Sequence, residues 1–121
     1  MPSSPPPSAS SCLFCDIVAG KVAAAILLQN DHVIAFRDIR PVAPGHALVI
    51  PREHVSGIGE VHPAQALALG QLLLAARDVA GTLGLSGGYR VVINQGPDAG
   101  QSVFHLHCHV LGGRPMEWPP G

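Results

Sequence analysis

Residues 105–111 of the chain read His-Leu-His-Cys-His-Val-Leu. The whole sequence holds seven histidines, as many as all its lysines and arginines together, and three of them fall in this run. Side chains of a β-strand alternate between two faces. The pattern therefore predicts His105, His107 and His109 on one face and Phe104, Leu106, Cys108 and Val110 on the other. The second set suits a core. The first aligns three imidazoles about 6–7 Å apart in chain order. Three histidines along a straight strand span about 13–14 Å, too far to share one ion with bonds near 2 Å, so at least one must do something else. A neutral imidazole is a good nucleophile toward phosphorus, and a reference pKa of about 6.5 leaves it mostly neutral at pH 7. Neighbouring histidines, when protonated, bind phosphate oxygens and protonate a leaving group. Phosphoryl or nucleotidyl transfer through a phospho-histidine fits the pattern better than a polar outer strand face.

The loop just before this run supports that chemistry. Gly100, Gln101 and Ser102, with Val103 next, offer backbone N–H groups and a hydroxyl that would stabilise charge on a phosphate. Asn94 adds a side-chain amide. Near the N-terminus, Cys12 and Cys15 form a Cys-x-x-Cys pair. That spacing suits half a zinc site or a redox pair, and is also compatible with two unrelated thiols.

These residues need elements to hold them. Leu-Phe-Cys-Asp-Ile-Val-Ala leads from Cys12 into a short helical turn, predicted over 14–19 and ended by Gly20. Ala24–Gln29 and His32–Asp38 read as two strands of a hairpin, turned by Asn30-Asp31. His46–Ile50 is a third strand stopped by Pro51. His62-Pro63 starts a helix predicted over about 63–83, with Leu69, Leu72, Leu73, Ala76, Ala80 and Leu83 at three- and four-residue spacing. Tyr89–Asn94 and Val103–Leu111 complete five strands, which with one long helix predict an antiparallel α+β domain.

The 121 residues suit one domain, with 1–11 a flexible Pro/Ser-rich tail and 12–121 the folded unit. At 47% hydrophobic and 12% charged residues, the chain is too apolar to stay open. A formal charge of −1 lacks the footprint of a non-specific nucleic-acid binder, though one local site can still hold an anionic nucleotide. No apolar run is long enough to cross a membrane, and the N-terminal tail lacks the regions of a secretory signal. Three cysteines, an odd number, argue for a reducing compartment, hence a cytoplasmic location.

The run at 105–111 resembles the mark of the histidine-triad (HIT) family, His-φ-His-φ-His-φ-φ with φ apolar, position by position. The likeness extends to F-R-D-I-R-P-V-A-P-G-H-A-L-V-I-P-R-E-H, G-Y-R-V-V-I-N-Q-G, G-Q-S-V-F-H and L-G-G-R-P-M-E-W-P-P-G. It covers about residues 12–121. The closing W-P-P-G is similar to the Hint branch and unlike the dinucleoside-polyphosphate hydrolases of the Fhit branch. The resemblance implies a five-stranded HIT-like fold and hydrolysis of purine nucleoside phosphoramidates to AMP or GMP and an amine. It makes His107 the nucleophile and His109 a phosphate contact, with His105 and His46 completing the cluster. Ser102 and Asn94 would hold the phosphate or leaving group. Asp38, with Ile39 beside it, would accept the ribose hydroxyls. Leu13, Phe14, Ile17, Val22 and Phe36 would line an apolar slot for the purine. It further implies a homodimer whose C-terminal tails reach the partner's site, bringing Trp118 near the substrate. Some HIT relatives pair an N-terminal Cys-x-x-Cys with two distant histidines. The matching set here is Cys12, Cys15, His54 and His105, a structural zinc site by ligand type. No organic cofactor is implied. His32 and His62 match nothing functional, His62 reading as a helix-start residue and His32 as part of a turn or strand.

Three rival readings remain at this level. A hydrolase or transferase of dinucleoside polyphosphates shares the nucleophile but needs room for a second nucleotide. A nucleotide-binding scaffold module would leave an intact triad unused. A purely zinc-stabilised structural protein would leave His107 and His109 idle.

Overall fold

The computed structural model describes residues 12–121, so the tail expected over 1–11 lies outside the described residues. The elements run α1 (Leu13–Val18), β1 (Ile26–Gln29), β2 (Val33–Arg37), β3 (Gly45–Pro51), α2 (Ala66–Thr82), β4 (Tyr89–Val92) and β5 (Cys108–Gly112), with single 3₁₀ turns at Ile58–Glu60, Pro63–Gln65 and Pro97–Ala99. The strands form one antiparallel sheet in the order β1-β2-β3-β5-β4. This is the expected antiparallel α+β arrangement of five strands with one long helix and a short N-terminal one. Among the described residues no helix is long and apolar enough to cross a membrane.

The central strands explain the layering. β3 is buried along its whole length and β2 over its first four residues, so both read as nearly continuous apolar runs rather than as alternating ones. Val33, Ala35, Ala47, Val49, Cys108 and Val110 face α2 and pack on Leu72, Ala75, Ala76, Val79 and Ala80. Alanines on both sides of this seam let the helix lie close to the sheet. The buried stripe follows i, i+3, i+4, i+7, i+8. It excludes Leu73, which is 48% exposed although its spacing groups it with the buried positions, because one residue beyond Leu72 lies about a quarter-turn off the seam. Leu69 and Leu83 are only partly buried against the core.

The other sheet face carries Ile34, Phe36, Leu48 and Ile50, covered by Cys12, Phe14 and Ile17 from the N-terminal segment. Two facing glycines admit a third contact. Gly45 and Gly112 pair across β3 and β5, and a Cβ on either would come within 2.7–2.9 Å of Leu85. Leu85, after α2, thus seats on the sheet where two side chains are missing.

The helix starts later than predicted. Pro63–Gln65 is a 3₁₀ turn capped by His62, whose Nδ1 accepts the Ala64 N–H at 3.0 Å while Gln65 Oε1 accepts the His62 N–H at 2.7 Å. His62 is therefore the helix-start residue expected. His32 lies in the turn before β2, where Asn30 Oδ1 accepts its N–H at 2.8 Å.

The main departure concerns the histidine run. β5 begins at Cys108, not Val103. Its pairing with β3 stops at Val49↔Cys108. Ahead of it, Leu106 N–H bonds Val55 O at 2.6 Å, outside the sheet. Pro51, at the end of β3, has no N–H with which to continue the ladder. Phe104 consequently sits in a bend, 40% exposed instead of core. β4 likewise ends at Val92, leaving Asn94 in the following loop.

Candidate active site and metal centre

The break in β5 sorts the three histidines into different jobs. His105 is fully buried, and its Nε2–H donates to Pro51 O at 2.8 Å. That bond leaves the lone pair on Nδ1, which faces Cys12 Sγ at 3.3 Å and Cys15 Sγ at 3.4 Å. His54 Nδ1 lies 3.2 Å from Cys15 Sγ. The four ligand atoms all lie within 4.8 Å of one another. Tetrahedral zinc with Zn–S near 2.3 Å and Zn–N near 2.0 Å sets sulfur–nitrogen edges of about 3.5 Å, so donor types and spacing fit the metal. The Pro51 carbonyl is the outer partner that such a histidine ligand ordinarily has. Burial, with Cys12 adding to it, pushes the Cys15 thiol up to about 11, a cost that a bound cation would remove. The imidazole of His105 thus turns toward the thiols, away from the catalytic role expected of it. Burial also lowers its pKa to about 4.

Its backbone still serves the site. His107 Nδ1–H donates to His105 O at 2.8 Å, so the free lone pair of His107 is on Nε2. Phe14 packs edge-on against the His107 ring, with centroids 5.2 Å apart and planes at 86°, which fixes the ring's attitude. The same Phe14 touches the rings of Phe36 and His105.

His109 lies next, its ring centroid 5.1 Å from that of His107. A chain of donors sets its proton. Val42 N–H donates to His46 Nδ1 at 3.1 Å. His46 must then carry its proton on Nε2, where it meets His109 Nδ1 at 2.9 Å and Asp38 Oδ2 at 3.3 Å. His109 accepts at Nδ1 and therefore presents an Nε2–H. Burial lowers the pKa of His46, against the pull of Asp38 at its Nε2. Burial first, then His107 and His46, lower His109 to about 4. Asp38, His46 and His109 are close enough to suggest a second metal position. The Val42 N–H argues against one, because it occupies Nδ1 and keeps a proton on the nitrogen that would have to bind the ion.

The phosphate-loop expectation needs correction in part. Gly100, in the left-handed conformation, closes a tight turn in which its N–H bonds Pro97 O at 3.0 Å and Gln101 N–H bonds Gly96 O at 3.1 Å. Both donors are spent within the loop. The Gln101 side chain is also committed, accepting from Gly96 N–H at 2.9 Å and donating to Ser56 O at 2.7 Å. Ser102 and Val103 remain, and among the described residues their N–H groups have no backbone partner. Ser102 is exposed, while Asn94 and Val103 are half-buried.

The expected purine slot is mostly floor. Phe14, Ile17 and Phe36 are buried in the second core cluster, while Leu13, Val22 and Ile39 are exposed around it. Asp38 Oδ1 accepts the Arg40 N–H at 2.8 Å, so the carboxylate is already oriented. Trp118 is 83% exposed and lies beneath Arg90, whose guanidinium carbon is 5.9 Å from the ring centroid. Arg90 also donates to Glu117 O. Sequence reasoning missed the backbone parts: Val42 N–H, Pro51 O and His105 O. Their only signal was position, Val42 between Pro41 and Pro44 and Pro51 at a strand end.

The HIT domain family matches residues 19–116. A HIT-like protein of Synechocystis is 44% identical over 113 residues, covering 93% of this chain and 99% of the relative. The adenylylsulfatase HINT1 of Arabidopsis thaliana is 43% identical over 117 residues, 95% of this chain and 80% of that protein. Among solved structures, a HIT family hydrolase from Legionella pneumophila superposes with a TM-score of 0.88 at 44% identity, covering 91% of this chain and 99% of that one. The extent of these matches and the agreement in fold establish that the chain belongs to the HIT domain family, among its Hint-like members.

Proposed function

We propose that this protein hydrolyses purine nucleoside phosphoramidates through a nucleotidyl-histidine. The observation that carries the reading is the hydrogen-bond geometry around two adjacent rings, from which their proton positions follow. His107 holds its proton on Nδ1 against the His105 carbonyl and offers an Nε2 lone pair, while His109 is set to donate from Nε2. His107 Nε2 attacks the α-phosphorus, the P–N bond to the amine breaks, and the departing nitrogen takes up a proton from solvent, which the water of the second step gives back. His109 and the N–H groups of Ser102 and Val103 donate to the phosphate oxygens as charge builds on them. Water then cleaves the N–P bond to His107, releasing the nucleoside monophosphate and restoring the imidazole. Asp38 accepts the ribose hydroxyls with lone pairs that Arg40 N–H and His46 leave free.

Cys12, Cys15, His54 and His105 would hold zinc. A bound ion would tie the start of α1 to the segment leading into β5 and so hold the His105 carbonyl where His107 needs it. A homodimer is supported by exposed apolar side chains on two elements, Leu67 and Leu74 on α2 and Tyr89 and Val91 on the edge strand β4.

A second reading changes only the leaving group. The Arabidopsis relative is described as an adenylylsulfatase. Attack at the same phosphorus would expel sulfate from an adenylyl sulfate with the same nucleophile. A panel of adenosine phosphoramidate, adenylyl sulfate and a dinucleoside polyphosphate, scored for AMP release, separates the readings. Fastest turnover of the phosphoramidate is expected. Nucleotide binding with no turnover of any of the three contradicts the enzymatic reading.

A further inference from the structure

The proton position on His46 depends on one main-chain donor, Val42 N–H, and that donor sits in irregular backbone between β2 and β3. Arg114, just after β5, reaches this segment through exposed hydrogen bonds. Its Nε and Nη2 donate to the Val42 carbonyl at 3.2 and 3.1 Å, and its Nη1 donates to its neighbour Pro115 O at 3.3 Å. The adjoining Gly113 presses on the same segment, since a Cβ there would come within 2.9 Å of Pro44 Cβ. Val42 is thus gripped on its carbonyl by Arg114 while its N–H holds His46. The groups facing His46 are Asp38 and His109, and both compete for its Nε2 proton. If the Val42 N–H drifted away, His46 would be free to carry its proton on Nδ1. His109 would then lose its donor at Nδ1 and with it the fixed Nε2–H.

We propose that Arg114 is a positioning residue: by holding the Val42 carbonyl it fixes the Val42 N–H that sets the proton position on His46 and, through His46, on His109. The kinetic side of this inference rests on the phosphotransfer reading of His107 and His109. The spectroscopic side does not.

The test compares wild type, Arg114→Ala and Arg114→Lys at neutral pH, using long-range proton–nitrogen correlation spectra of the histidine rings. Wild type should show His46 and His109 as single Nε2–H forms. Arg114→Ala should show His46 shifted toward a mixture of both forms. With an adenosine phosphoramidate, its kcat should fall about tenfold with KM unchanged, a part of the roughly 10²–10⁴ that a positioned proton donor supplies. Arg114→Lys, which keeps a cationic donor, should recover part of both signals. Unchanged ring forms in folded Arg114→Ala overturn the proposal. Should that variant fail to fold, Arg114→Gln, a neutral donor too short for the two-point grip, replaces it with the same criteria. Absence of turnover in wild type would overturn the phosphoramidase reading alone, because the ring forms still decide the role of Arg114.

Discussion

Protonating His109 should cost stability, and the amount follows from its surroundings. Burial, with His107 and His46 nearby, lowers its pKa to about 4. In the unfolded chain the same ring titrates near its reference value of about 6.5. The unfolded state therefore binds more protons between these two values, and stability falls as pH drops through that window. Full stability is present above about pH 6.5 and the loss is complete below about pH 4. From pH 7 to pH 4.5 a single group with these two values contributes about 2.5 kcal/mol, or about 2 kcal/mol after allowance for its partial exposure. The assay is urea unfolding followed by circular dichroism at several pH values in that range, on wild type and His109→Gln. The variant lacks this titration and should lose about 2 kcal/mol less than wild type over the same range. Equal losses in the two proteins would refute the claim that His109 is held neutral by its environment.

Three further outcomes follow from the packing. Metal analysis of the purified protein should give one zinc per chain, and Cys15→Ser or a strong chelator should remove it and lower the thermal midpoint. Full metal content in Cys15→Ser would rule out the four-residue site. Gly112→Ala should cost about 1–3 kcal/mol in urea unfolding, because its methyl would meet the Gly88 carbonyl and Leu85 at 2.9 Å. In sedimentation velocity the wild type should run as the proposed dimer and Val91→Lys as a monomer, since Val91 is exposed on the edge strand. A dimer unaffected by the lysine would place the interface elsewhere.

The parts legible in the sequence are those governed by short-range pattern. Strand alternation put Leu106, Cys108 and Val110 in the core and His107 and His109 opposite, and the structure agrees. The length argument assumed one straight strand, whereas β5 begins only at Cys108, and it is the irregular backbone before it that lets His105 turn to Cys12 and Cys15 while His109 meets His46. Family likeness, rather than periodicity, brought His54 to the cysteines. Long-range backbone contacts were hidden. Pro51 was visible as a strand stop, but not as the acceptor that turns His105. Nothing in its residue type marks Val42, which lies between Pro41 and Pro44. Gly100 and Gln101 looked like phosphate donors because composition reports how many N–H groups a loop has. It does not report which of them the loop consumes in closing its own turn.

The central claim is that His107 Nε2 forms a covalent bond to phosphorus. Rapid acid-free quenching of the protein with an adenosine phosphoramidate, followed by intact mass and peptide mapping, tests it directly. A nucleotidyl adduct on His107 is predicted in wild type, with no adduct and a loss of turnover of about 10³-fold or more in His107→Ala. Full turnover in His107→Ala, or an adduct mapped to another residue, would contradict it.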